Sequence, residues 1–385
     1  MKKKIALVVG TRPEVIKMAP VYFALKDHPT LQPLFVSTGQ HREMLDQALA
    51  VFGIKPDIDL NLMRSGQTLP DLTARMITAT SEMLSAQKPA AVLLQGDTTT
   101  VLGGALAAFY ARIPIGHVEA GLRTYNFDAP WPEEMNRRLV DPISRWCFTP
   151  TAWSAANLSA ERLPSSSIHV TGNTVVDALL WVREKLSLQQ VSPRSVAERC
   201  GIPESFSEKF LGPRGNKFIL ITGHRRESFG EGFENICRSI ARLAEQHAHL
   251  GLLYPVHLNP NVQEPVRRIL SSNPRVALIP PVGYEDFIWL MERCHFLLSD
   301  SGGVQEEAPT LGKPVLVMRE TTERPEGVDA GTCRLVGTDP TKIVREAGLL
   351  LEDPSEYRAR SALKNPYGDG QSAKRIVDIL ASDLA

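Results

Sequence analysis

Acidic side chains stand where short apolar runs give way to turns. The run 91–94 ends in Gln95-Gly96-Asp97-Thr98-Thr99-Thr100, and 115–118 ends in His117-Val118-Glu119-Ala120-Gly121-Leu122-Arg123-Thr124. Asp97 sits where either an N-cap or a catalytic carboxylate would sit. A glutamate closing a buried strand is desolvated, which raises a carboxyl pKa toward neutral and suits it to proton transfer. The other reading is a buried ion pair with Arg123 or His117. A third acidic site follows in Pro130-Trp131-Pro132-Glu133-Glu134. Negative charge in a helix's first turn is favoured by the macrodipole. That accounts for one glutamate, but not for Trp131, Asn136, Arg137 and Arg138 beside it.

Other run ends look built for anions. Residues 5–9 lead into Gly10-Thr11-Arg12-Pro13-Glu14, which places Arg12 near a helix N-terminus with Pro13 at its first position. Residues 218–221 lead into Thr222-Gly223-His224-Arg225-Arg226, a His and two Arg that suit phosphate or stand as a solvated basic turn. Residues 299–307 read Ser-Asp-Ser-Gly-Gly-Val-Gln-Glu-Glu. Ser301, Gly302 and Gly303 before a helix can cradle a phosphate, and Glu307 one turn on can accept both ribose hydroxyls. Plain helix capping by Ser301 is the alternative. Neither GxGxxG nor the P-loop pattern occurs.

The elements that must position these residues are legible as alternation. Apolar runs at 5–9, 34–37, 91–94, 115–118, 146–149 and 168–170 recur in the first half. Those at 218–221, 252–256, 276–279, 296–298, 315–317 and 334–336 recur in the second. Such continuous runs suit strands buried on both faces, as in parallel sheets. Between them lie helix-length segments such as 74–87, with Met76, Ile77, Thr80, Met83 and Leu84 on one face. The pattern predicts an α/β protein with two doubly wound parallel sheets. A hinge falls near 174–182, a Ser-, Pro- and charge-rich stretch at 189–215 precedes the second sheet, and 372–384 reads as a helix. We place one domain at 1–176 plus 368–385 and the other at 177–367. Ligands of open α/β sheets bind beyond the carboxyl ends of strands.

The 385 residues carry 43 Lys+Arg against 43 Asp+Glu. This balance argues against a nucleic-acid partner. No apolar stretch approaches the ~18 residues of a spanning helix, so no membrane partner is expected. The five cysteines form no CxxC pair, which reads as a reduced, cytoplasmic setting and gives no structural zinc site. No metal cluster is evident, and no cofactor is expected. Taken together, acidic groups in the first domain and a phosphate-plus-ribose grip in the second suit an enzyme acting on the sugar of a nucleotide diphosphate-sugar.

The chain resembles the bacterial non-hydrolysing UDP-N-acetylglucosamine 2-epimerases. The motifs that carry the resemblance are GTRPE (10–14), TGQHREMLDQ (38–47), QGDTTT (95–100), HVEAGLRT (117–124), PWPEEMNRR (130–138), TGNTVVDAL (171–179), TGHRRESFG (222–230) and SDSGGVQEEAPTLGKPVLVMRETTERPE (299–326). They run in family order over nearly the whole chain. The resemblance implies the GT-B fold, two Rossmann-like domains with an interdomain cleft. It implies reversible inversion at carbon 2 of UDP-N-acetylglucosamine to UDP-N-acetylmannosamine, a precursor for cell-surface polysaccharide. UDP is eliminated to a 2-acetamidoglucal and adds back after reprotonation on the other face. Matched by motif, Asp97, Glu119 and Glu133 are the acid/base set, and His224 binds the diphosphate and helps UDP leave. Arg12, Lys17, Phe287, Ser301, Gly302, Gly303, Glu307 and Arg324 are the substrate-binding residues, with Phe287 stacking on the base. Gln40, Glu43, Arg64, Arg226 and His257 match the place where some relatives bind a second, activating UDP-N-acetylglucosamine; Glu43 stands where some of those carry Gln. A homodimer is implied as well. The competing readings are a hydrolysing 2-epimerase releasing N-acetylmannosamine and UDP, a glycosyltransferase of the same fold, and a silent UDP-sugar sensor, which would lose the acidic set.

Overall fold

The computed structural model describes residues 2–39, 42–64, 66–213 and 215–385, apart from the side chains of Arg42 and Glu43. The chain forms two compact units, Met1–Leu180 with Tyr367–Ala385, and Trp181–Pro366. Each is built on one all-parallel sheet.

In the first unit the strands are β1 (Lys3–Val9), β2 (Leu31–Ser37), β3 (Ile58–Asp59), β4 (Ala91–Gln95), β5 (Ile115–Val118), β6 (Trp146–Thr149) and β7 (Ile168–Val170). Their order is β3-β2-β1-β4-β5-β6-β7, with Leu7 facing Leu93 and Leu94 facing His117 in register. The sheet is wound outward from the β1/β4 boundary, where the chain leaves the two neighbouring strands in opposite directions. β4, β5 and β6 are buried along their whole length, which is why they carry no polar alternation. β3 was not visible as an apolar run, because two residues carry no period. The helix expected over 74–87 begins earlier, at Leu69, where the Thr68 hydroxyl caps Asp71 N and a proline fits the first turn. Its buried face is Leu72, Met76, Thr80, Met83 and Leu84. The helix Ser372–Asp383 belongs to this unit: Ala373 N donates to Asp177 at 2.9 Å and Trp146 Nε1 to Asp383 at 2.7 Å.

In the second unit the strands are β8 (Phe218–Thr222), β9 (Gly251–Pro255), β10 (Val276–Ile279), β11 (Phe296–Ser299), β12 (Val315–Val317) and β13 (Cys333–Leu335). Their order is β10-β9-β8-β11-β12-β13, with the same winding reversal between β8 and β11. The Ser- and Pro-rich stretch before β8 holds two short helices, Pro193–Cys200 and Glu204–Phe210. Ser192 caps the first, and Phe206 and Phe210 bury the second. All five cysteines are free and buried. Among the described residues no helix is long and apolar enough to cross a membrane.

Candidate active site

In the first unit the candidate residues collect at the β1/β4 reversal, the kind of place where open α/β sheets bind ligands. Gly10 and Thr11 follow β1, and Gln95-Gly96-Asp97-Thr98 closes β4. Glu14 ties the two loops together. Its carboxylate accepts the Thr11 N–H at 2.8 Å, the Gly10 N–H, and the Thr98 hydroxyl. Burial pushes its pKa up to about 7, against the pull of those hydrogen bonds. No site role was expected of Glu14. The signal was present in Thr11-x-x-Glu14, the spacing of a capping box.

Glu119 closes β5 in a left-handed conformation, φ +68°, which L side chains rarely adopt. Such a residue persists only where its surroundings over-determine it, and such residues cluster at functional sites. The Glu119 and Ala120 N–H groups both donate to the Phe148 carbonyl, at 3.0 and 3.1 Å. Gly121 then runs so close to Ser154 that a Cβ would lie 2.3 Å from its carbonyl oxygen. The buried Glu119 carboxylate accepts from Lys17 Nζ at 2.6 Å, Asn173 Nδ2 at 3.4 Å and the Gln95 amide.

The ion pair considered for Glu119 is made by a different acid. His117 and Arg123 both turn to the buried Asp141, His117 Nδ1 at 2.6 Å and Arg123 at 2.7 Å. The Arg123 guanidinium also reaches Glu161 at 2.7 Å. His117 Nε2 lies 2.7 Å from the Gly96 carbonyl. Burial lowers the His117 pKa, but Asp141 and the Gly96 carbonyl outweigh it, and the pKa is raised. An acceptor at each ring nitrogen is met by an imidazolium, a donor at both.

Asp97 is not the cap of the next helix. Thr98 caps it, accepting from Val101 N at 3.4 Å. Asp97 instead takes Arg137 at 2.8 Å and keeps a partly solvent-facing carboxylate, while Asn136 Nδ2 holds its backbone carbonyl at 2.7 Å. The paired arginines and Asn136 are thereby partly explained. The helix Glu133–Val140 carries two acids in unlike settings. Glu134 is fully buried and saturated, accepting from Thr124 N and Tyr125 N at 3.0 Å each and from Arg137 at 2.6 Å. Burial would raise its pKa, but these donors lower it overall. Glu133 Oε2 is buried without a hydrogen-bond partner among the described residues.

In the second unit the residues after β8 and β11 meet at the corresponding reversal. Asp300, fully buried, accepts the His224 and Arg225 N–H groups at 2.6 and 2.7 Å. His224 Nδ1 lies 3.4 Å from the same carboxylate, and its ring stacks on His257 with centroids 5.2 Å apart. Burial holds the His224 pKa below its ordinary value, against the attraction of Asp300. Ser301 occupies the N-cap position of Gly302–Glu307 but makes no side-chain cap bond. A Cβ at Gly302 would sit 2.5 Å from the Arg324 guanidinium carbon, so that side chain would have to shift to admit one. Arg324 pairs with Glu306 and Glu323, each at 2.7 Å. Burial pushes Glu323 upward, but Arg324 and Arg319 bring its pKa down to about 2. Glu307 is buried and accepts the Tyr284 hydroxyl at 2.7 Å.

The remaining expected residues divide. Arg12, Lys17 and Phe287 are half-buried, and Lys17 joins the Glu119 cluster. Arg64, Arg226 and His257 are exposed; His257 is brought onto His224, and Arg64 is in the first unit, with its N–H on Gln67 at 3.1 Å. Gln40 and the side chain of Glu43 lie outside the described residues.

The family described as UDP-N-acetylglucosamine 2-epimerase matches residues 23–381. The chain belongs to that family. It is 52% identical to the UDP-N-acetylglucosamine 2-epimerase of Salmonella typhimurium over 379 residues, 98% of either chain. The crystal structure of the Neisseria meningitidis UDP-GlcNAc 2-epimerase bound to UDP-GlcNAc superposes with TM-score 0.89 at 48% identity, covering 98% of this chain and 100% of that one. A glycotransferase of kitacinnamycin, only 12% identical, aligns over the whole of both chains at TM-score 0.65 and shares the fold. Two Rossmann-like doubly wound units of the GT-B class are thus common to epimerases and a glycotransferase, and fold alone does not select the chemistry. Asp97, Glu119, Glu133 and His224 all fall inside the span matched by the epimerase family, whereas Arg12 and Lys17 precede it.

Proposed function

We propose that the protein interconverts UDP-N-acetylglucosamine and UDP-N-acetylmannosamine without net hydrolysis. The observation that carries this reading is the set of carboxylates in the first unit, Asp97, Glu119 and Glu133, held in three unlike environments. Inversion at carbon 2 needs a base on one face of the sugar and an acid on the other. Carboxylates whose surroundings differ can hold opposite protonation states at one pH.

In the proposed sequence one carboxylate removes the carbon-2 proton. The electron pair forms the carbon 1–carbon 2 double bond as the carbon 1–oxygen bond to UDP breaks. A second acid then delivers a proton to carbon 2 from the opposite face, and the UDP oxygen re-forms its bond to carbon 1. Atoms balance, and neither water nor a redox partner enters. His224 and the Arg12 side chain offset charge on the departing diphosphate, the 301–303 backbone and Glu307 hold phosphate and ribose, and Phe287 stacks on the base. Lys17 and Arg324 complete the substrate contacts. Arg64, Arg226 and His257 are the described part of a proposed second UDP-sugar site. The active form is proposed to be a cytoplasmic homodimer feeding cell-surface polysaccharide synthesis.

Proton NMR of the protein with UDP-N-acetylglucosamine in deuterated water tests this. UDP-N-acetylmannosamine carrying deuterium at carbon 2, with little free UDP, is the expected result. Free N-acetylmannosamine with stoichiometric UDP would assign the hydrolysing reaction instead. An unchanged spectrum would remove the epimerase reading.

A further inference from the structure

We propose that the second unit carries a separate binding site for a small phosphorylated molecule, in a cavity at the amino ends of its strands. The cavity holds about 490 Å³ and is lined by Lys217, Arg293, His295 and Lys313, with Phe210 and Tyr357 among its apolar walls. Lys217 immediately precedes β8, His295 precedes β11, and Lys313 stands two residues before β12. The loops bearing His224 and Ser301 leave the opposite ends of β8 and β11. This cavity is therefore on the other edge of the same sheet from the residues assigned to UDP.

Its charge is unbalanced. Among the described residues no Asp or Glu lines it. Lys313 Nζ donates to the Cys294 carbonyl at 2.8 Å and Lys217 Nζ to the Leu351 carbonyl at 3.3 Å. Among the described residues neither ammonium has a carboxylate partner. The Arg293 guanidinium lies 3.7 Å over the Trp289 ring, donates to the Trp289 carbonyl at 3.3 Å and pairs with Glu292 at 3.4 Å. Like charges sharing a partly desolvated cavity repel one another, and a multiply charged anion relieves that repulsion while accepting their remaining N–H groups.

His295 supplies an independent sign of the same field. Its ring stacks on Tyr357 with centroids 4.1 Å apart, and Nε2 lies 3.0 Å from the Leu350 carbonyl. Burial, Lys217 and Lys313 together hold its pKa down to about 4, so the ring is neutral near pH 7. With Nε2 as the donor to Leu350, Nδ1 is left as an acceptor. An anion beside the two lysines reverses the local Coulomb field, favours the imidazolium and converts Nδ1 to a donor. Binding is thereby linked to uptake of a proton by His295. The volume falls within the ~300–1,000 Å³ of small-molecule sites, and the aromatic and proline walls suit an organic portion attached to the phosphate.

Pyrophosphate is the probe. Its binding to the full chain is measured by calorimetry at constant ionic strength, in parallel with Lys217→Ala/Lys313→Ala and His224→Ala variants. Loss of charge-assisted hydrogen bonds should weaken binding about 10-fold or more in the double variant and leave an undiminished event in His224→Ala. Equal affinity in the double variant, an event abolished by His224→Ala, or no binding to the parent protein would each overturn the proposal. Should the double variant fail to fold, the ring protons of His295, assigned with His295→Gln, are titrated in the parent protein. Their midpoint should rise by about one unit or more with pyrophosphate, and a midpoint that does not move would overturn the site.

Discussion

Lys17 Nζ donates to Glu119 Oε1 across 2.6 Å, from the helix that follows β1 to the carboxylate that closes β5. Two strands distant in sequence thus share one charge pair, made possible by a backbone at Glu119 that few residues other than glycine adopt. Glu119→Gln is nearly isosteric and keeps an acceptor for Lys17. We expect turnover to fall at least ~100-fold, since general acid–base catalysis is worth ~10²–10⁴. UDP affinity by calorimetry should stay within about 3-fold. Turnover equal to the parent would remove Glu119 from the acid/base set.

The strand ends were readable because parallel strands buried on both faces are written as unbroken apolar runs, with catalytic candidates in the first polar residues after them. Asp97, Glu119 and His224 were found that way. Partnerships were not readable. His117, Arg123 and Asp141 are separated by turns and a helix, so nothing in their spacing announces that Asp141 would take both cations and leave Glu119 to Lys17. The same holds for Lys217, His295 and Lys313, which stand before different strands and become neighbours only when the sheet forms. Glu134 was hidden for another reason: two adjacent glutamates in a helix's first turn look alike until the 124–125 loop folds onto one of them.

Glu14 makes stability depend on pH. Its pKa is raised from an ordinary 4.5 to about 7 by burial. The folded chain therefore holds this proton when the unfolded chain has released it, and stability falls as pH rises from 4.5 to about 7. Below that window the contribution is fully retained. The span corresponds to an upper bound on the order of 3 kcal/mol. Glu14→Gln should flatten the melting-temperature profile between pH 4.5 and 7 relative to the parent. Parallel profiles for the two proteins would show that Glu14 is not the titrating group.

His117 works in the same sense, over a window that starts higher. Its raised pKa means that its contribution is fully present below its ordinary 6.5 and is lost as pH climbs through the folded value. Removing it leaves Asp141 with Arg123 and the Gly121 N–H and frees the Gly96 carbonyl beside Asp97. His117→Gln should cost about 3 kcal/mol near pH 6, the lower end for breaking a buried pair. The deficit should narrow in alkaline solution. Denaturant unfolding at pH 6 and at pH 9 reads both quantities. A deficit independent of pH would mean that His117 is held neutral.

The two adjacent glutamates stand in unlike settings. Glu134 carries three hydrogen bonds that fasten the 124–125 loop and Arg137, whereas Glu133 offers a buried oxygen without a partner. Leaving a buried donor unsatisfied costs about 1–3 kcal/mol. Glu134→Gln cannot accept from all three groups with both oxygens, so it should lower the melting temperature by several degrees. Its loss of turnover should follow from the displaced Arg137 that also holds Asp97. Glu133→Gln breaks no hydrogen bond at that oxygen, so its melting temperature should stay close to that of the parent while turnover falls at least ~100-fold. Measured side by side, a stable and inactive Glu133→Gln places the chemistry on Glu133. A stable and active one would transfer the role to Glu119 and Asp97 alone.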